Sequence, residues 1–147
     1  GLARINEASA HVEQALRKVL DDSDGFSCDF PPNAEGKRQR VGYPDLRLLH
    51  EGSGRVTYLD PKLFAATSAQ SSLRTFYYSP STRTGKILED AHHLLLGISH
   101  DGVDGAWTFG PWHLVDLTRL RVGLKAEFQA GNRDLYRPDL IISSGKP

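Results

Sequence analysis

Methionine is absent from the 147 residues, and cysteine occurs once, at Cys28. Without a methionine the chain does not begin at a natural initiator, so Gly1 reads as a cut site and an upstream segment or domain is expected before it. A lone cysteine excludes an internal disulfide framework and a multi-cysteine zinc site. With no evident His and Asn partners, Cys28 is expected to be a buried small apolar residue. An excess of either charge is also lacking, because Lys plus Arg and Asp plus Glu both number 18. Bulk attraction to nucleic acid or to an anionic membrane is therefore not predicted, and such binding needs a local basic patch. No apolar run approaches the roughly 18 residues of a membrane span. No Gly-rich phosphate loop and no Gly-x-Ser-x-Gly elbow occurs.

What is present is ordinary for a globular protein: 39% apolar and 24% charged residues. The length suits a single domain, residues 1–147, around one core. Ala3 to Leu20 reads as a helix, with Ile5, Val12, Leu16, Val19 and Leu20 at mixed spacings of three and four and with Ala8 and Ala15 in the same stripe. "FSCDF" (Phe26 to Phe30) alternates as a short strand does, and "PPNAEGKRQR" (Pro31 to Arg40) is a loop with a basic end. "DLRLLHE" (Asp45 to Glu51), the connection Gly52-Ser53-Gly54 and "RVTYLDPKLF" (Arg55 to Phe64) predict a β-hairpin. Ala65 to Leu73 reads as a short helix, while "RTFYYS" after it equally suits a strand. "HHLLLGISHDG" (His92 to Gly102) and "AWTFGPWHLVDL" (Ala106 to Leu117) read as two strands around a Gly-rich turn. Thr118 to Tyr136 fits a helix with Leu120, Leu124, Phe128 and Leu135 on one face, and Asp139 to Ser143 a last strand. The order predicts an α/β (α+β) domain around a mixed sheet.

One detail of the hairpin is chemically unusual. Residues two apart on a strand share a face, so Val56, Tyr58, Asp60 and Lys62 line one side of the second strand. An antiparallel hairpin sets the start of its first strand opposite the end of its second, which brings Asp45 near Asp60 and Lys62. Two neighbouring carboxylates repel and do not both ionise easily unless a positive charge sits between them. A divalent cation supplies that charge, and hard oxygen ligands with open water positions suit Mg²⁺. A lysine beside such a site orients a water and stabilises charge building on a phosphoryl oxygen.

Pro44-Asp45 followed by Asp60-Pro61-Lys62 resembles the PD-(D/E)XK motif of restriction-endonuclease-like nucleases. The resemblance covers roughly Ala3 to Phe64 in element order. It implies an αβββαβ-type core, a mixed sheet flanked by helices, and a metal-dependent DNA endonuclease. It also implies that Asp45 and Asp60 are metal ligands, with Mg²⁺ as cofactor and Mn²⁺ as a substitute, and that Lys62 assists the attacking water. Glu13, or Glu7, on the first helix would be an accessory acid. DNA is the expected partner, with no membrane; double-strand cutting calls for two centres, hence a homodimer. The cytoplasm is the expected location.

Two other readings stand beside this one. Asp45 caps a turn after Pro44 while Asp60 and Lys62 form a surface ion pair, or the scaffold is a non-catalytic nucleic-acid or protein-binding domain. Pro61 cannot donate a ladder hydrogen bond, so the second strand must be an edge, bulge or end there. Lys37, Arg38 and Arg40 of "GKRQR", with Arg74, Arg83 and Lys86 further on, are the candidate contacts to DNA phosphates. Adjacent His92 and His93 point to opposite faces of a strand and do not readily ligate one ion.

Overall fold

The computed structural model describes residues 5–145 except 104, 125 and 128. The chain opens with helix α1 (Ile5–Asp21) and continues through strands β1 (Phe26–Asp29), β2 (Leu46–His50), β3 (Arg55–Ala65), β4 (His92–His100) and β5 (Phe109–Asp116). A short helix, α2 (Asn132–Leu135), follows. The strands form one mixed sheet in the order β1-β2-β3-β4-β5. β3 and β4 are parallel, and the other neighbours are antiparallel. This is a small α+β fold.

α1 forms because its apolar positions repeat along one face, Ile5, Val12, Leu16 and Leu20. Leu16 and Leu20 pack against the buried trio Cys28, Leu46 and Leu59, joined by Phe30, Leu48, Leu94 and Leu96. Register explains the trio's neighbours. Leu46 lies opposite Leu59, Cys28 opposite Leu48, and Leu59 beside Leu94, so these residues share the face that α1 covers. Val19 and Ala15 belong to the predicted stripe but are exposed. Leu16 and Leu20, not these two, carry the contact of α1 with the core. Glu13 falls on the inward side, three residues before Leu16, and is half-buried.

The hairpin forms as its sequence predicts, with His50 opposite Arg55 across the turn. Gly54 sits at φ +66°, a conformation that suits glycine. Pro61 is tolerated because β2 ends at Leu46, opposite Leu59. From Asp60 onward β3 is paired on the β4 side only, so a missing donor leaves no gap in a second ladder.

Several expected elements are absent. Between β3 and β4 the chain makes only a 3-10 turn, Ala66–Ser68, in place of the helix expected at Ala65 to Leu73 or of the strand at "RTFYYS". The polar run Thr67 to Ser72 has no apolar stripe to bury, so nothing holds it as a helix. After β5 a 3-10 turn, Leu117–Arg119, and the four-residue α2 form, and the described residues between them are irregular, in place of a helix over Thr118 to Tyr136. Leu120, Leu124 and Leu135 are exposed there, and Phe128 lies outside the described residues. No strand forms over Asp139 to Ser143. Both segments carried apolar spacing without a surface to pack upon.

Candidate active site

β2 and β3 carry the centre. Continuing their register one step beyond the Leu46–Leu59 pair sets Asp45 opposite Asp60. The Lys62 ammonium lies 2.8 Å from Asp60 Oδ2 and 3.7 Å from Asp45 Oδ2. Exposure is graded across the trio: 3% for the Asp60 side chain, 15% for Asp45 and 37% for Lys62. The ammonium therefore faces solvent while the carboxylates sit below it. At 2.8 Å the Lys62–Asp60 contact is a close ion pair, and Lys62 is the one charged partner of the buried Asp60 Oδ2 among the described residues.

The electrostatics follow from that packing. Burial, reinforced by the negative charge of Asp60, pushes the Asp45 carboxyl up to about 7, and Lys62 offsets only part of the rise. Burial alone works to lower Lys62, but its contacts with Asp60 and Asp45 outweigh it and hold the ammonium above the ordinary lysine value. Lys62 is thus a firmly protonated group. Burial likewise raises Glu13, whose surroundings include Arg40, Lys62, Asp60 and Lys86. Glu13 is therefore drawn toward the centre, whereas Glu7 is exposed on the first turns of α1.

The donor set can be tested against a divalent cation. Among the described residues no cluster of three or more His, Cys, Asp and Glu side chains is arranged to hold an ion. Two carboxylates are present, one with a buried oxygen whose charged partner among the described residues is Lys62 alone and one that burial and its neighbour keep from ionising freely. Both conditions are relieved by a hard cation that brings its own waters, as Mg²⁺ does with one or two carboxylates. The pair fits such an ion.

The six basic candidates are scattered in environment. Arg38 and Arg40 are exposed on the loop before β2. Lys37 and Arg83 both pair with Glu35, at 3.0 and 2.8 Å, which ties their loops together. Arg74 lies over the Tyr77 ring, 5.0 Å from its centroid. Lys86 is not a surface group, being only 2% exposed. The spacing of Arg74, Arg83 and Lys86 along the sequence carries no sign of this burial.

A further cluster was not foreseen. The Tyr43 hydroxyl hydrogen-bonds His93 Nδ1 at 2.8 Å, and the Tyr43 ring meets Phe76 and Tyr78 edge-on. Tyr58 contacts His93 from β3. This cluster anchors the residues just before Pro44-Asp45. Adjacent Tyr77-Tyr78 was the available signal, but its long-range partners were not legible. His92 is exposed and His93 half-buried, as alternation along β4 requires. Burial pushes the Cys28 thiol up to about 11, consistent with its place in the core.

A small mixed sheet with two adjoining carboxylates and an ammonium at the end of one hairpin defines the class: an α+β domain with a compact acidic–basic centre. The chain belongs to the type II restriction enzyme MjaV family, whose model matches residues 1–139. It is 37% identical over 145 residues to the type II restriction enzyme MjaV of Methanocaldococcus jannaschii. That alignment covers 95% of this chain and 62% of the relative, so the chain spans less than two thirds of the relative's length. No solved structure matches the chain.

Proposed function

We propose that this chain is a Mg²⁺-dependent DNA endonuclease domain of the restriction-endonuclease-like, PD-(D/E)XK class. The observation that carries the reading is the meeting of Asp45, Asp60 and Lys62 within one ion-pair cluster, with Asp60 Oδ2 buried. Family membership supports DNA as the substrate. Asp45 and Asp60 would hold the cation, for which Mn²⁺ can substitute, and Glu13 is the accessory acid. When bound, the ion supplies Lewis-acid stabilisation of the phosphoryl oxygen and lowers the pKa of water.

The chain's own groups supply the rest. Lys62, held protonated, cannot be the base that takes the water's proton; it would orient the attacking water and hold down its pKa, so that the proton passes to bulk solvent before attack. Arg38, Arg40 and Arg74 neutralise backbone phosphates, and Lys37 and Arg83 join them when Glu35 is displaced. Each chain carries one such centre, so cutting both strands of a duplex calls for two copies or a further domain.

The test compares the parent chain with Lys62→Ala on plasmid and genomic DNA, with and without Mg²⁺ or Mn²⁺. Expected are metal-dependent cleavage by the parent, a loss on the order of 10²–10³ in rate for Lys62→Ala, and near-parental DNA binding. Equal cutting by both proteins would reduce Asp60 and Lys62 to an ion pair at a sheet rim. Metal-independent binding without any cutting would instead identify a non-catalytic DNA-binding domain.

A further inference from the structure

Lys86 is buried to 2% exposure, yet among the described residues no carboxylate forms an ion pair with it within 4 Å. Its backbone is held on both sides. On one side, Ala34 N donates to Gly85 O at 2.9 Å, Gln39 Nε2 donates to Thr84 O at 2.8 Å, and Arg83 pairs with Glu35 at 2.8 Å. On the other, Leu88 N donates to the Tyr58 hydroxyl at 3.2 Å, and Arg47 grips Glu89 with two nitrogens, one at 3.0 Å. These contacts join the crossover between β3 and β4 to the loop before β2 and to β2 and β3 themselves. Lys86 sits midway between the two anchors and has little freedom to leave.

The charges around it are those of the centre. Burial lowers the Lys86 pKa, while Asp45, Asp60 and Glu13 pull it back up and Lys62 adds to the fall. A lysine whose stem is this well buried, while its ammonium keeps solvent contact and has no anion paired to it, is uncommon. A lysine needed only for general attraction to DNA would sit at the surface, where it costs nothing. Arg47 and Tyr58, which hold its loop, lie two positions from Asp45 and Asp60, so the Lys86 stem is fixed near the centre without an ion pair to it and is pre-organised for an anion that arrives later.

We propose that Lys86 is a second catalytic ammonium, which contacts a non-bridging oxygen of the scissile phosphodiester when that group enters beside Asp45, Asp60 and Lys62. The proposal rests on the nuclease reading for its chemistry, but its contact with phosphate can be measured separately. Lys62 and Lys86 then divide the work: the first acts on the water, the second on the phosphoryl group whose charge grows in the transition state.

The experiment uses the 147-residue chain and Lys86→Met, which keeps the length of the side chain and removes its charge. Three quantities are read: the melting temperature without metal, cleavage of plasmid and genomic DNA with Mg²⁺ at saturating DNA, and affinity for a short duplex across a salt series in EDTA. The expected variant melts at or above the parental temperature, cuts on the order of 10²-fold more slowly, and shows a salt slope smaller by about 1. A lower melting temperature with an unchanged slope would overturn the proposal, because it describes a counter-ion that only holds the carboxylates in place. A parent that cuts, beside a variant that cuts equally well, overturns Lys86 alone. A parent that binds with a Lys86-dependent slope but never cuts supports the phosphate contact and refutes the nuclease reading. A parent that neither binds nor cuts overturns both.

Discussion

The chain before residue 101 and the chain after it are built differently. Among the described residues, every buried side chain lies between Ala8 and His100. β5, an edge strand paired with β4 alone, is exposed at every position. Trp112 is 65% and Leu114 55% exposed, and beyond β5 the Leu124 side chain is wholly exposed. Both parts contain apolar residues at regular spacing. Only the first brings two surfaces together, with α1 on one face of the sheet and the crossover between β3 and β4 reaching over Tyr58 on the other. Ladder hydrogen bonds keep β5 in register, but its side chains gain little cover beyond the His113 ring stacked on Phe64. A contiguous apolar strand face of this kind is characteristic of interaction surfaces. The candidate active site belongs wholly to the packed part, where burial can shift the chemistry of carboxylates and ammoniums.

The contrast is broken most directly by paired truncations. Leu46→Ala removes a fully buried side chain from the centre of the core and should cost about 2–5 kcal/mol in urea unfolding. Leu124→Ala, at an exposed position, should stay within about 0.5 kcal/mol of the parent. Similar losses at the two positions would mean that the later segment is as well packed as the first.

A smaller effect sharpens the contrast at the site itself. The ordinary Asp value is 3.8 and burial beside Asp60 raises Asp45 to about 7. Between those values the folded protein keeps a proton that the unfolded chain has released. In metal-free buffer, stability should therefore be full below pH 4, fall as pH rises, and level off above pH 7. Asp45→Asn should flatten that decline and raise the melting temperature at pH 8, by about 2–4 °C for each kcal/mol recovered. Thermal melts across the pH series check it. A parental decline in Asp45→Asn would assign the pH dependence to other groups, and a large loss of stability would mean that Asp45 caps the turn after Pro44.

The smallest change is expected on β5. Trp112→Ser should alter urea stability by no more than about 0.5 kcal/mol, since the ring is mostly in solvent. A clear destabilisation that grows with protein concentration would show that a second chain covers this face.

Much of the packed part was legible before any coordinates. Alternation in Phe26 to Phe30, the apolar run Asp45 to Glu51 and the β-forming residues of Arg55 to Phe64 declare strands that form as β1, β2 and β3. The short Glu51-to-Gly54 connection sets the hairpin register, and with it the meeting of Asp45 and Asp60. The helix expected over Thr118 to Tyr136 failed for the reason that β5 is exposed: periodicity marks a face able to pack, and says nothing of whether a partner surface exists. Gly123 and Gly131 weaken that segment further.

Local sequence therefore determined the strands, the hairpin and the juxtaposition of Asp45, Asp60 and Lys62, because alternation and turn length act over a few residues. Tertiary structure decided which apolar faces found cover and that Lys86 is buried. Lys86 is placed by bonds between residues that are 30 to 50 positions apart, among them Gln39 to Thr84, Tyr58 to Leu88 and Arg47 to Glu89. No spacing within a short window encodes contacts of that range, since they form only after the sheet has brought the two loops to the same end.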